Sequence, residues 1–163
     1  MLSEGAIADW GSVFLVEHSD IPRFKAALGY AVFAMLMMIA RFSGDSCAAW
    51  LGHRRLIALS GFLTALGMSL ILSSISFALQ IVGFGVLGLG LANMVPAIFS
   101  NAARQNGVPP ASAITLVSTC GYAGFLIGPA FIGAGAEQIG LPTTLIVIPI
   151  IGGIFVLART LFS

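Results

Sequence analysis

The chain has 163 residues, 58% of them hydrophobic and only 8% charged, with a formal net charge of +1. A water-soluble domain is about 25% charged, so this surface cannot face water on all sides, and its near-neutral balance leaves no basic footprint for nucleic acid. Cys47 and Cys120 form neither a metal spacing nor a disulfide framework; they read as small packing hydrophobes. No cleavable leader is expected, because no basic region precedes the first apolar stretch and acids interrupt it.

Hydropathy divides the chain into one partial and five full apolar spans. The partial one is residues 1–16, a helix of about 24 Å, short of the ~30 Å hydrocarbon core. It reads as a truncated helix, the second half of a membrane span. It carries "EGAIADW", with Glu4 and Asp9 five residues and about 140° apart. Counted inward from the loop near Glu17, Asp9 lies about 12 Å deep and Glu4 about 20 Å deep, near the bilayer midplane. An acid at that depth costs several kcal/mol unless it meets a polar cavity or an ionic neighbour. Glu4 is therefore the leading candidate for binding a solute or a coupled proton. Asp9 either pairs with a neighbouring helix, caps polar groups toward the exit, or shares in binding. Trp10 either stacks on a sugar ring or anchors the helix near the interface.

After the polar break "EHSDIPRFK" comes a span at 26–44, closed by Arg41 and Asp45. These stand four residues apart on one helical face, a spacing that predicts an ion pair. The basic turn "GHRRL" supplies Gly52, Arg54 and Arg55 before the span at 56–73, and "SSIS" makes a tight turn. In the span at 78–101, Gly85, Gly88 and Ala92 share one face while Gly83, Gly90 and Ala97 share a nearly opposite one. A helix that is small on two faces can be squeezed between two neighbours. Asn93 either bonds a ligand or ties to the adjacent helix, and Pro96, lacking a backbone donor, should bend this span. "RQNGVPP" places prolines to open the span at 112–134, where Gly121, Gly124 and Gly128 share a face and Pro129 should kink the helix. That pattern fits tight packing or a bend that moves in a transport cycle. "GLP" then opens the last span, 141–162.

Gln80 and Tyr122 read mainly as packing or interface residues, and His18 and His53 as solvated loop residues. No His, Cys or acid has metal-ligand spacing. No serine lies in a nucleophile elbow with a histidine placed as its base, so no metal, cofactor or enzymatic activity is expected. Lys and Arg in short loops set orientation. One side collects Arg54, Arg55, Arg104 and Arg159, and the other Arg23 and Lys25 diluted by Glu17 and Asp20. The first side, with the C-terminus, should be cytoplasmic.

"EGAIADW", "ARFSGD", "LGLGLANMVPAIFS" and "GYAGFLIGPAFIG" resemble helices seven, eight, ten and eleven of the major facilitator superfamily, most closely its bacterial fucose-permease-like and sugar-efflux-like branch. The resemblance covers essentially the whole chain. It implies an all-α membrane protein, a C-terminal six-helix half-bundle built as a 3+3 inverted repeat. In that family the loop after helix eight runs Gly, an acid, a basic residue, then Gly and two basic residues. Gly52, Arg54 and Arg55 match its end, but Ala49 stands where the acid would, and Asp45 is the nearest acid. "GFLIGP", with Gly124, Gly128 and Pro129, resembles a signature of the partner half in antiporters. "GDSCAAWLG" and "GAGAEQIG" both close on glycine, with Glu137 three residues before Gly140, a faint internal echo of the repeat.

The resemblance implies a carrier half in a bacterial inner membrane. It would move a small polar solute, a sugar or drug-like molecule, coupled to protons, and would need an N-terminal half for a full pathway. The alternatives are a non-transporting remnant or a structural or assembly protein of the bilayer. Substrate, direction and coupling ion are not written in the sequence.

Overall fold

The structure, a computed structural model, describes residues 1–73, 76–105 and 107–158, the side chains of Asp45 and His53 excepted. Among the described residues the chain is helical: α1 Leu2–His18, α2 Arg23–Phe42, α3 Gly44–Leu51, α4 His53–Ser73, α5 Phe77–Ala92, α6 Met94–Ala103, α7 Pro110–Ile139, α8 Leu141–Leu145 and α9 Val147–Leu157. Four stretches are long and apolar enough to cross a membrane: Arg23–Phe42, Arg54–Ser73, Phe77–Ala103 and Pro110–Ile139. Leu141–Leu157 is a shorter apolar helix, and α1 has 17 residues. The stretches read as apolar spans are helical wherever they are described. The last one is described only to residue 158, so Arg159 and the C-terminus lie outside the described residues.

Prolines open helices where the sequence places them. Pro22 precedes α2, Pro110 is in the first turn of α7 and Pro142 in that of α8. At those positions a missing N–H costs nothing, since the first-turn donors have no helical partner. The α1–α2 turn is closed by Asp20, whose φ of 50° is one that Asp tolerates better than most residues.

The centre of the bundle is α5. It packs between α4 and α2, and α9 covers the far side of α4. α1 leans on α2 and on α7, and α7 returns to α6, so α2, α5–α6, α7 and α1 form a ring. The two small faces of α5 explain its central place. A Cβ on Gly83 would lie 2.9 Å from the Gly67 carbonyl oxygen of α4, and one on Gly90 would lie 2.6 Å from the Thr64 nitrogen. On the other face, one on Gly85 would lie 2.7 Å from Leu36 Cδ1, and Gly88 abuts the Phe33 carbonyl of α2. The core between these helices holds Ile7, Leu15, Phe33, Met68, Phe84 and Leu87, all fully buried. Large apolar side chains such as Phe24, Met38, Phe62, Leu126 and Ile154 point outward instead, as a lipid-facing surface requires.

The bend expected at Pro96 falls three residues earlier, at Asn93, where α5 ends and α6 begins. Pro96 takes the first turn of α6, where its lost donor is cheapest. A second interruption, at Ser43 between α2 and α3, has no proline to announce it. The glycines that close α3 and α7 share one geometry. Gly52 has φ 75° and ψ 152°, and Gly140 has φ 86° and ψ 148°. Each N–H donates at 3.0 Å to the carbonyl four residues back, and each starts a new helix with no intervening loop. Such left-handed φ values are glycine's province.

Candidate functional site

α1 runs alongside only part of the 30-residue α7. The small face of α7 receives its start: Gly121 abuts Met1, and a Cβ on Gly128 would lie 2.9 Å from Leu2 Cγ. Gly5 packs on the Phe125 carbonyl, where a Cβ would come within 2.8 Å of the oxygen. Pro129 has no N–H to offer that carbonyl, so the freed oxygen turns toward the Gly5 backbone. Phe125 lies midway along α7, so Glu4, beside Gly5, stands close to that level of α7.

There Glu4 meets Arg41. The Arg41 Nη2 donates to Glu4 Oε1 at 3.2 Å, the one ion pair among the described residues. Arg41 stands near the end of α2, about 27 Å along that helix. It reaches Glu4 because helical side chains tilt toward the N-terminus; the same Nη2 lies 3.6 Å from Met37 Sδ, one turn back. The Asp45 side chain, expected as the partner of Arg41, lies outside the described residues. Glu4 and Arg41 line one cleft with Met1, Val95, Pro96, Tyr122 and Phe125, about 370 Å³ in volume. An adjoining apolar cleft of about 450 Å³ shares Met1 and Val95 and runs on between α6 and α7 past Ile98, Phe99 and Leu116. A charged pair therefore opens onto a largely apolar hollow ringed by α1, α2, α6 and α7.

The other candidates separate from this site. Asp9 is exposed on another face of α1. Trp10 locks α1 to α7: its Nε1 donates to the Pro129 carbonyl at 2.9 Å, and its ring fills the space beside Gly133. Trp10→Phe should cost about 1 kcal/mol, the worth of one partly buried hydrogen bond, read as a lowered unfolding midpoint in detergent. Asn93 is 7% exposed and ties to the neighbouring helix, its Nδ2 donating to the Ala40 carbonyl at 3.3 Å. Its Oδ1 is buried without a partner, against Gly44. Gly124 and Gly128 meet α1, and Pro129 lies at their end. Gly52 closes α3, while Arg54 and Arg55 are exposed at the start of α4. Gln80 joins the outer ends of three helices, its Nε2 donating to Ser19 Oγ at 2.6 Å and approaching the Ile71 carbonyl at 3.5 Å. No cluster of metal-binding side chains occurs among the described residues.

Sequence reasoning missed Arg41 as the partner of Glu4. The i, i+4 rule looked along one helix, whereas the pair crosses between two. The signal was present: Arg41 is a basic residue inside the apolar span read at 26–44.

No family model matches the chain. Across all 163 residues it is 44% identical to membrane protein MosC of Rhizobium meliloti, covering 40% of that protein. Over 136 residues it is 37% identical to an uncharacterized MFS-type transporter of Yersinia pestis and 35% identical to the uncharacterized transporter y4wD of Sinorhizobium fredii, covering 35% and 36% of their lengths. The chain thus spans about two fifths or less of the curated relatives it matches. These similarities, with the apolar helices, support an integral membrane protein.

Proposed function

We propose that this chain is the C-terminal half of a proton-coupled secondary carrier, residues 1–163 forming a six-helix half-bundle with a 3+3 inverted repeat. The reading takes α5–α6 and α8–α9 each as one bent span and α3 as a short helix at the end of α2. The matching geometry at Gly52 and Gly140 supports the repeat, since those junctions stand at corresponding points of its two units. The solute is small and polar, drug-like or a sugar, and passes between this half and an N-terminal half. The end of the bundle carrying Arg54, Arg55 and Arg104 faces the cytoplasm of a bacterial inner membrane.

One observation carries the reading: a carboxylate and a guanidinium paired between apolar helices and opening onto a cleft. Arg41 and Glu4 keep 46% and 24% of their side-chain surface open, so a solute or water can reach the pair. Intramembrane charges facing a cavity mark solute and proton paths. Glu4 binds the solute or the proton, Arg41 gates it, and Asn93, Pro96, Gly124, Gly128 and Pro129 set the bends that the transport cycle uses. Asp9 lies outside the cleft and Trp10 acts by holding α1 in place.

The test is uptake of labelled sugars and lipophilic drugs by cells expressing the chain with a complementary half. Glu4→Gln is expected to cut uptake at least about tenfold and to flatten its dependence on pH, since a glutamine cannot exchange the proton. Uptake and pH response equal to those of the unaltered chain would remove Glu4 from the mechanism. Absence of uptake for every solute in the unaltered pair would remove the carrier reading itself.

A further inference from the structure

Asp9 has no part in the cleft, yet its position needs a physical account. It is exposed on α1 and has neither a hydrogen bond nor an ion pair among the described residues. Contacts inside the bundle fix its level. Ser12 Oγ lies 3.5 Å from the Ala26 carbonyl of α2, so these two residues stand side by side on antiparallel helices. Asp9 is one turn farther in along α1, and Ala26 is one turn in from Arg23. Asp9 therefore lies about 9 Å inside the end of α2 that Arg23 marks. The contact with α7 agrees. Trp10 bonds the Pro129 carbonyl at 2.9 Å, about 15 Å short of the end of α7 at Ile139. Both α2 and α7 are long and apolar enough to cross a membrane. A carboxylate thus stands on the outside of the bundle at a depth where lipid solvates it poorly.

The surface around Asp9 suits a covering helix. Asp9, Ser12, Val13, Val16 and Glu17 recur at i, i+3, i+4, i+7 and i+8, which is one helical face. The last four line an open cleft of about 360 Å³ together with Arg23 and Ala26 of α2. Ser12, Val13, Val16 and Ala26 give it a low floor, on which another helix can approach closely. The charges near its mouth do not neutralise Asp9. Glu17 has the same sign. Arg23 begins α2, and side chains tilt toward a helix N-terminus, here away from Asp9. Lys25 lies over the Phe24 ring.

We propose that this face of α1 seats a membrane helix of the complementary half, and that the helix brings a Lys or Arg against Asp9. This rests on the carrier reading and adds where the second half touches α1 and with what charge. A cation is what the position lacks. Lipid or a wholly apolar helix would leave the carboxylate desolvated and unpaired, and an acidic helix would repel it.

The probes are three Leu–Ala membrane peptides of about 21 residues. They are identical except for Lys, Gln or Glu about six residues from one end, the depth of Asp9. Each bears an acceptor dye. The chain carries Cys47→Ala, Cys120→Ala and a donor dye on Lys25→Cys, and association in vesicles is read by energy transfer. The Lys peptide should bind about tenfold more tightly than the Gln peptide, the worth of a hydrogen bond to a charged group, and the Glu peptide most weakly. Asp9→Asn should bring the Lys and Gln peptides level, while Glu17→Gln should leave the preference in place. Equal binding of all three peptides, as a water-lined or lipid-covered face would give, overturns the proposal. So does a Lys preference that survives Asp9→Asn. In cells that also express the complementary half, Asp9→Lys should cut the recovered complex at least about tenfold, and one Lys→Glu or Arg→Glu change in that half should restore it. Restoration by none of them removes the assignment to that half. Absence of any complex in the unaltered pair would count against the carrier reading instead, since the peptides report on Asp9 alone.

Discussion

Replacing Gly67 with alanine is expected to destabilise the bundle by about 2–3 kcal/mol, the upper part of the usual range for overpacking. The added methyl would lie 2.5 Å from the Leu87 nitrogen, 2.8 Å from the Gly83 carbonyl oxygen and 2.8 Å from Leu87 Cα. All three are backbone atoms of α5, so no side chain can rotate away, and the two helices must part along their length. Gly83 faces back onto the Gly67 carbonyl, so both sides of the crossing lack room. Denaturant titration in mixed micelles measures the loss. Gly153→Ala is the control: nothing lies within 4 Å of a Cβ there, and that variant should match the parent or gain slightly from helix propensity. If Gly67→Ala matches the control, α4 and α5 do not cross as closely as described.

The second large effect lies on the opposite edge of α4. A Cβ on Gly61 would come within 2.6 Å of the Gly152 carbonyl oxygen, and one on Gly152 within 2.6 Å of the Gly61 carbonyl oxygen. Each alanine should cost about 2 kcal/mol. The two together should cost clearly less than their sum, since helices already parted by the first methyl have room for the second. A double-mutant cycle by the same titration reads the coupling, and strict additivity would mean that the residues do not touch. Together the two crossings make α2, α5, α4 and α9 a tightly seated slab. The cleft lies on the other side, where α1 and α7 meet it.

Much of the slab was legible in the sequence, because close helix crossings need small residues and small residues at helical spacing can be read directly. Gly83 and Gly90 against Gly85 and Gly88 marked α5 as a helix with two close neighbours, and both neighbours are present. The glycine face of α7 was equally plain, though not that it would receive the first residues of α1. The Gly61–Gly152 crossing was not read, since single glycines in two distant spans have no local pattern. The same limit applied to the site. Glu4 drew notice because an acid in oil is costly, but its partner is 37 residues away and no periodicity links them. The break at Asn93 lies one turn before Pro96, whose missing N–H leaves the Ala92 carbonyl without its usual helical donor. The break at Ser43 falls on the turn-type run Ser43-Gly44, and the Asn93 amide ties to the Ala40 carbonyl beside it.

That contact carries a mechanical consequence. The Ala40 carbonyl accepts from the Ser43 N–H at 3.2 Å, from Ser43 Oγ at 2.9 Å and, across the bundle, from Asn93 Nδ2 at 3.3 Å. One oxygen thus serves both joints. The short arm from Gly44 to Leu51, which carries the exposed Trp50, and the arm bearing Pro96 are thus anchored to the same carbonyl. Since Pro96 and Val95 form a wall of the hollow beside Arg41, a push on that surface arm would change the width of the space between them.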